Sequence, residues 1–302
     1  MKKHRREDDV MRGVKLILVL GFLLSVAGAA CADDETYTLN EVYPIKAEGT
    51  LVLYTNDAEI VIKGTDRSDL KLDVYHRIST SGLFVKSKST PFEMIVTREN
   101  GDLFLREEGG DHSFVGFIGS MSEDYIIEIE APKGINLKLR GDDDSYEIEG
   151  INGSISLRFE DGDARLSDCG GDEFELESDD GDIRMRGGRG EFTGYVEDGR
   201  LEVREAKFDE VLAETDDGRI YIETALSDNG NYRLNGEDGR IELDVISGGG
   251  VFTATFDDGS LRADNAFDTI EEEEGRVKLR LKGGNANVRA RIEDGTIRFN
   301  AK

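Results

Sequence analysis

The sequence predicts an all-β fold: a single-stranded, right-handed β-helix-like solenoid of about 20-residue repeats, preceded by a less regular β-rich part. Two observations support this prediction. An acidic turn that ends in glycine recurs eight times in the second half of the chain, at intervals of 16 to 21 residues. Apolar and polar residues alternate on both sides of most of these turns, which is the two-residue period of a strand with one buried face.

The first 32 residues have the organisation of a signal peptide. A basic segment that ends at Lys15 precedes fifteen mainly apolar residues, Leu16 to Ala30. The small residues Ala30 and Ala32 flank Cys31, just before Asp33. This apolar run is shorter than the ~20 residues of a membrane-spanning helix, and the small residues fit a cleavage site. We therefore predict a signal peptide over residues 1–32 and one β-repeat domain over residues 33–302, with an uncleaved anchor helix as the alternative.

Cys31 is the candidate lipidation site of the chain. Gly28-Ala29-Ala30-Cys31 resembles a lipobox, although glycine stands where leucine is usual. A lipid on Cys31 would attach the protein to a membrane, and ordinary cleavage after Ala32 is the alternative. The mature chain would then contain only Cys169, which has no partner for an intramolecular disulfide and is predicted to be a small, partly buried residue.

The acidic turns divide residues 151–302 into regular strand–turn–strand units, whereas residues 33–150 show a less regular alternation. Glycine supplies the backbone freedom that a tight turn needs. Units of this length cannot bury an apolar face alone, so we expect them to stack around a shared core. The turns are Glu160-Asp161-Gly162, Asp179-Asp180-Gly181, Glu197-Asp198-Gly199, Asp216-Asp217-Gly218, Glu237-Asp238-Gly239, Asp257-Asp258-Gly259, Glu273-Glu274-Gly275 and Glu293-Asp294-Gly295.

Stacked turns would place one acidic residue of each unit in a column along an edge of the solenoid. Like charges about 5 Å apart repel each other, and calcium, which binds carboxylate and carbonyl oxygens, would relieve the repulsion. We favour the alternative that Asp-Gly is simply good turn chemistry, because the nine-residue calcium-binding repeat is missing. We therefore predict no metal site and no cofactor. The column would contain Asp161, Asp180, Asp198, Asp217, Asp238, Asp258, Glu274 and Asp294.

The formal charge of −27 argues against nucleic acid as a partner, because phosphates would be repelled. Arginines follow four of the turn glycines, where they would partly neutralise the acidic column; they are Arg200, Arg219, Arg240 and Arg276.

His76 and His112 are isolated, and the sequence lacks a nucleophile elbow, a phosphate loop and a zinc-protease motif. We predict no catalytic residues and no enzymatic activity.

Three segments carry a resemblance to a known family. They are Ile60-Val61-Ile62-Lys63-Gly64, Ala131-Pro132-Lys133-Gly134 and Ser178-Asp179-Asp180-Gly181-Asp182-Ile183. Between about Tyr43 and Phe299 the chain resembles a bacterial domain-of-unknown-function family, the putative-adhesin or β-strand-repeat family. The resemblance implies an adhesin-like β-repeat domain that acts by binding, and it supplies no catalytic residues. The family commonly has Ser or Thr before the turn glycine, where this chain has acids.

The predicted function is that of an exported cell-envelope protein, adhesin-like or scaffolding, that binds an unknown envelope or surface partner, either a protein or a glycan. One alternative is a periplasmic envelope-stress or structural protein without a ligand. Another is a polysaccharide-active β-helix enzyme, in which two carboxylates would act on a sugar. The predicted location is the periplasm or the cell envelope, and the outer membrane if Cys31 carries a lipid.

Overall fold

The computed structural model describes residues 31–83, 86–110, 112–115 and 118–302, and in these residues it contains β-strands and no helix. Accordingly, no helix in this part of the chain is long and apolar enough to cross a membrane. The strands are β1 (Cys31–Tyr43), β2 (Thr50–Tyr54), β3 (Glu59–Thr65), β4 (Leu70–Leu83), β5 (Lys86–Ser89), β6 (Glu93–Glu99), β7 (Asp102–Glu108), β8 (His112–Val115), β9 (Ile118–Pro132), β10 (Asn136–Arg140), β11 (Asp143–Glu149), β12 (Ile155–Ser167), β13 (Glu173–Arg186), β14 (Arg189–Val196), β15 (Arg200–Thr215), β16 (Arg219–Ala225), β17 (Asn231–Ser247), β18 (Gly250–Phe256), β19 (Ser260–Ala263), β20 (Phe267–Glu273), β21 (Arg276–Leu281) and β22 (Ala286–Ala301).

Twenty of these strands pair into two long ladders, which we call ladder A and ladder B. In spatial order, ladder A contains β6, β7, β2, β10, the first halves of β12 and β13, β14, the second half of β15, the first halves of β17 and β22, then β18, β21 and β20. Ladder B contains β1, β4, β9, β3, β11, the second halves of β12 and β13, the first half of β15, β16, the second halves of β17 and β22, and β19.

Each coil of the solenoid contains one strand in each ladder, and an acidic turn joins them. In β12, for example, Ile155 and Leu157 point inward from ladder A, and Ala164 and Leu166 point inward from ladder B. All four are nearly inaccessible to solvent and belong to one apolar cluster that runs through the molecule. The alternation of the sequence therefore places the apolar side chains of both ladders in one shared core, as the repeats predict.

The coils are not stacked in sequence order at the C-terminal end. β22 pairs with β17 along its whole length, from Asn231↔Asn287 to Val245↔Ala301. β18 and β19 pair with the outer edge of β22. The last coil of the sequence is therefore the second-to-last coil in space, because the chain first builds the outer coil and then returns to fill the gap.

Antiparallel strands close both ends of the solenoid. β6 pairs antiparallel with β7, and β4 and β1 extend ladder B at the same end. At the other end β21 and β20 form an antiparallel hairpin, and Glu273-Glu274-Gly275 is its turn. Glu274 therefore does not belong to the stack of coil turns, contrary to the prediction. The structure confirms the all-β, solenoid-like fold.

The turn glycines form a column in which each residue touches the backbone of the previous coil. A Cβ atom at Gly199 would lie 2.3 Å from the carbonyl oxygen of Gly181, and one at Gly239 would lie 2.1 Å from that of Gly218. Contacts this short leave no room for any side chain, so the glycines set how closely the turns can stack. The column is, in spatial order, Gly162, Gly181, Gly199, Gly218, Gly239, Gly295 and Gly259.

We expect Gly199→Ala to destabilise the protein more than Gly187→Ala. Both glycines have a left-handed backbone, with φ values of 148° and 91°, but a Cβ atom at Gly187 would meet nothing within 4 Å. The difference should therefore report the clash between coils, which we estimate at about 1–3 kcal/mol from the cost of overpacking. Calorimetry and urea unfolding would measure it. Equal losses would show that backbone conformation alone requires glycine in the turn.

Candidate functional site

The acidic column exists, and it is longer than predicted. The strand register aligns Asp143 with Asp161 and Asp180, and Asp238 with Asp294. Extending the same register through the turns adds Asp57 and Asp124 at the N-terminal end and places Asp294 between Asp238 and Asp258. The complete column is Asp124, Asp57, Asp143, Asp161, Asp180, Asp198, Asp217, Asp238, Asp294 and Asp258.

Repulsion between the acidic side chains at this edge contributes to raising the pKa values of several of them. A hydrogen bond and the negative charge of Asp142 raise the pKa of Glu160. Desolvation, followed by the charges of neighbouring acids, raises the pKa values of Asp161 and Glu197. In the part of the chain that the structure describes, no group of three or more His, Cys, Asp or Glu residues is arranged to hold a metal ion.

Part of the outer surface of ladder B carries ion pairs between its arginines and acids. Arg184 pairs with Asp163 at 3.6 Å and also with Asp182. Arg298 pairs with Glu242 at 3.5 Å. Such pairs contribute little stability each when exposed, and within the described residues Arg219 and Arg240 of this surface have no ion pair. Arg200, Arg219 and Arg240 are aligned in one column beside the acidic turns, as predicted, whereas Arg276 lies on β21 in ladder A.

The outer surface of ladder A carries a different arrangement at its N-terminal end. Tyr54 of β2 lies between Arg106 of β7 and Arg140 of β10, and Arg140 is aligned with Arg158 of β12. Lys138 is two residues before Arg140 on the same face. All five side chains are exposed, and the Tyr54 residue retains 42% of its accessible surface. We call Tyr54, Arg106, Lys138, Arg140 and Arg158 the Tyr54 patch.

The cations of the Tyr54 patch are only partly compensated. Arg158 pairs with Glu177 at 3.0 Å, and Arg106 forms a longer, exposed pair. Within the described residues, Lys138 and Arg140 have no ion pair. Two surface depressions, of about 290 and 260 Å³, adjoin the patch, and both are lined by Tyr54 and Arg140. The larger one is also lined by Glu107, Asp142 and Glu160, whereas Lys138 and Arg158 line the smaller one. Guanidinium groups bind carboxylate or sulfate with two parallel hydrogen bonds, so the smaller depression can receive an anionic group beside an exposed ring.

Asp144 interrupts the glycine column next to the patch. It is aligned with Gly162 and is fully buried. Its carboxylate accepts hydrogen bonds from the Thr55 hydroxyl at 2.8 Å, the Ala58 amide at 2.6 Å and the Tyr146 hydroxyl at 2.9 Å. Burial raises its pKa despite these bonds. Because it joins β11 to the β2–β3 turn, Asp144 fixes the position of the coil that presents Tyr54.

His76 is buried, although the sequence suggested an isolated histidine. It is 4% exposed, its Nε2 atom lies 2.6 Å from Oε1 of Glu123, and its ring stacks on Phe92 with 4.1 Å between the ring centroids. These partners come from strands and loops that are far apart in the sequence, so no local motif could reveal them. The side chain of His112 lies outside the described residues.

The two cysteines lie in different surroundings. Cys169 is buried, burial raises its pKa, and its sulfur lies 3.4 Å from the carbonyl oxygen of Ser167. This environment fits the structural role predicted for it. The backbone of Cys31 begins β1 and pairs with Gly82 of β4. The Cys31 side chain and most of the predicted signal peptide, residues 1–30, lie outside the described residues.

Comparison with known proteins confirms the family resemblance. A family model described as Toastrack DUF4097 matches residues 49–300. Among solved structures, a putative adhesin from Parabacteroides merdae is 10% identical over 90% of this chain and 97% of its own, with a TM-score of 0.40. A putative adhesin from Parabacteroides distasonis is 8% identical over 90% and 98%, with a TM-score of 0.41. A putative lipid binding protein from the same organism is 10% identical over 89% and 98%, with a TM-score of 0.35. A search of curated proteins gives no match.

We expect the melting temperature to rise as the pH is lowered from 7.5 to about 5. Glu160, Asp161 and Glu197 have raised pKa values, so the folded protein binds their protons more tightly than the unfolded chain does. Stability is therefore lost as the pH rises through the interval between the unfolded and folded pKa values. Below about pH 4 the trend should reverse, because hydrogen bonds lower the pKa values of Asp34 and Glu205.

Salt provides the control for this pH dependence. Sodium chloride at pH 7.5 should also raise the melting temperature, because ions screen repulsion between exposed carboxylates. Calcium chloride at the same ionic strength should have the same effect. A larger rise with calcium that a chelator reverses would show specific calcium sites, and a melting temperature that falls between pH 7.5 and 5 would contradict the proposed repulsion.

Proposed function

The chain belongs to the Toastrack DUF4097 family, and from this premise we propose that it is an exported, adhesin-like protein that acts at the cell envelope by binding. The Tyr54 patch is the observation that supports this proposal. In a protein with a formal charge of −27, four cations lie in one region together with an exposed ring, and Arg106 and Arg140 are the cross-strand neighbours of that ring. Lys138 and Arg140 have no ion pair within the described residues and so contribute no such pair to the stability of the fold. Because they lie beside an exposed aromatic ring, binding explains their arrangement better than folding does.

The ligand that fits this surface best is an acidic glycan. The carboxylates or sulfates of such a polymer would pair with Arg140 and Lys138. The exposed face of Tyr54 offers a surface on which a sugar ring can pack, because an aromatic side chain presents a rigid apolar area with a polar tip. Glu175 and Glu177, which line the depression on one side, can accept hydrogen bonds from sugar hydroxyls.

We further propose that the signal within residues 1–32 directs export and that a lipid on Cys31, which then stays on the chain ahead of the domain at residues 33–302, attaches the protein to the outer membrane. The position of Cys31 at the start of β1, on the edge strand of ladder B, supports this because attachment there leaves the outer surface of ladder A free.

The right-handed sense of the coil remains a prediction. A periplasmic structural protein without a ligand and a polysaccharide-active enzyme remain the alternatives.

We expect the double variant Lys138→Ala/Arg140→Ala to lose most of the affinity for acidic glycans. Isothermal titration against polygalacturonate, alginate and chondroitin sulfate, with dextran as the neutral polymer, would measure the loss. Hydrogen bonds to charged groups contribute about 1.5–3 kcal/mol each, so we expect affinity to fall at least about tenfold. Tyr54→Ala should weaken binding without changing its salt dependence, and product analysis of the same polymers would reveal any cleavage.

The matched control is Arg219→Ala/Arg240→Ala on ladder B. Both residues are exposed and have no ion pair within the described part of the chain, so this variant makes the same change in net charge at a different place. Equal loss in both variants would show non-specific charge attraction and contradict the proposed site. Failure of the unaltered protein to bind any acidic polymer would favour the structural alternative, and cleavage would favour the enzyme.

Attachment can be tested by protease treatment of intact cells. We expect digestion of the unaltered protein from outside, and we expect Cys31→Ser to abolish it because that variant cannot receive a lipid. Fractionation should then show the variant as a soluble periplasmic protein. Protection of both proteins, together with a soluble periplasmic fraction of each, would contradict surface attachment.

A further inference from the structure

The register of ladder A places one outward side chain of each strand from β7 to β21 in a single row beside the turns. Neighbours along the strands, such as Leu139 and Ala290, are buried, so the members of the row point to the outer surface. The row crosses ten strand spacings and is about 48 Å long. It begins with Arg106, Tyr54 and Arg140 and ends with Arg291, Thr255 and Arg276.

Cations occupy both ends of this row. The group at one end is the Tyr54 patch. The group at the other end, which we call the C-terminal patch, consists of Arg233, Arg276, Lys278, Arg289 and Arg291. Arg289 is the cross-strand neighbour of Arg233, and the row to which they belong continues through Thr253 to Lys278. The outward residues of β18, β21 and the ladder A half of β22, all of which the structure describes, include no acid.

The charges of the C-terminal patch are only partly neutralised. Arg233 and Arg291 form long, exposed ion pairs, of 3.9 and 3.6 Å, and exposed pairs contribute little. Among the residues that the structure describes, no acid forms an ion pair with Arg276, Lys278 or Arg289. The C-terminal patch can therefore pair with anionic groups of a ligand, as the Tyr54 patch can.

Acids on both sides of the C-terminal patch favour a narrow ligand. Glu271 and Glu273 of the edge strand β20 bound the patch at the end of ladder A. Glu210 and Glu214 of β15 bound it on the other side. A bilayer or a globular acidic protein would cover these carboxylates together with the cations and would be repelled by them. A single polymer chain needs only the row, which leads from one patch to the other.

The row carries two acids between the patches. Glu177 forms an ion pair with Arg158 at 3.0 Å, which offsets its charge. The Glu214 carboxylate accepts a hydrogen bond from Nδ2 of Asn235 at 2.8 Å and has no ion pair among the described residues. An anionic chain therefore passes one uncompensated charge, and repulsion between exposed charges at contact distance in water is only about 1 kcal/mol.

We infer that one acidic glycan chain lies along this row and contacts both patches. The inference rests on the proposed binding of acidic glycans at the Tyr54 patch, and it adds that the ligand is a long polymer. From Arg140 to Arg291 the chain must cross six strand spacings, about 29 Å. Once one patch has bound, the other meets the same chain at a high effective concentration, so two weak contacts act together. A short acidic fragment reaches one patch only.

Polygalacturonate fragments of about three and about twenty sugars provide the test, because one is too short to reach both patches and the other is long enough. A longer chain also offers more positions at which a single patch can bind it, so a variant must separate the two effects. We expect isothermal titration to show that Lys278→Ala/Arg289→Ala binds the long chain at least about fivefold more weakly than the unaltered protein, because the second contact is lost. Its affinity for the short fragment should be unchanged, because the Tyr54 patch is intact.

The matched control is Arg219→Ala/Arg240→Ala, which makes the same change in net charge on ladder B and should bind both lengths as the unaltered protein does. Lys278 and Arg289 point outward, and melting curves of both variants check that they fold. Single substitutions of the same two residues serve if the double variant does not fold.

Three outcomes would overturn the inference. One is unchanged affinity of Lys278→Ala/Arg289→Ala for the long chain, which would leave the Tyr54 patch as a single site. Another is an equal loss for the short and the long fragment, which would show that the C-terminal patch binds by itself. The third is an equal loss in the control variant, which would show that only net charge matters. Failure of the unaltered protein to bind either length would instead contradict the proposed function, and the inference with it.

Discussion

The close approach of backbones at the acidic turns is the constraint on which the rest of the structure depends. Each turn glycine lies so near to the carbonyl oxygen of the preceding coil that a Cβ atom would clash, as at Gly199 against Gly181. This contact holds the two ladders in register from coil to coil, so inward side chains of one coil meet inward side chains of the next. The aliphatic core therefore follows from the turns as much as from the alternation of the strands.

The same constraint concentrates negative charge. The residue before a turn glycine must adopt the backbone conformation of a tight turn, and its side chain must hydrogen-bond to the backbone groups of that turn. Aspartate does both. Repeating that solution in every coil creates a column of like charges along one edge. The cations of ladder B, such as Arg184 between Asp163 and Asp182, offset part of this charge on the adjoining surface. At the N-terminal end of ladder A, Lys138 and Arg140 have no ion pair within the described residues, whereas Arg158 pairs with Glu177.

Much of the architecture could be predicted from the sequence, because the acidic turn and the alternation are local signals. The order of the coils could not, since β22 has the same strand–turn–strand pattern as its neighbours and only pairing in space decides that it lies between β17 and β18. Glu274 was wrongly placed in the acidic column for the same reason: a hairpin turn and a coil turn have the same sequence. The Tyr54 patch joins residues from three separate strands, and His76 meets Glu123 across 47 positions, so neither leaves a motif.

Departures from regularity occur at both ends of the solenoid, and stacked coils can tolerate them. Each coil contacts mainly its neighbours, so stability is close to a sum of local terms. A buried carboxylate such as Asp144 in place of a turn glycine then weakens only the adjoining coils. In a fold with one central core, the same changes would affect every element. A solenoid can therefore keep regular coils as a rigid support and place recognition surfaces at one end, where Asp144 fixes the coil beneath Tyr54 through its bonds to Thr55 and Ala58.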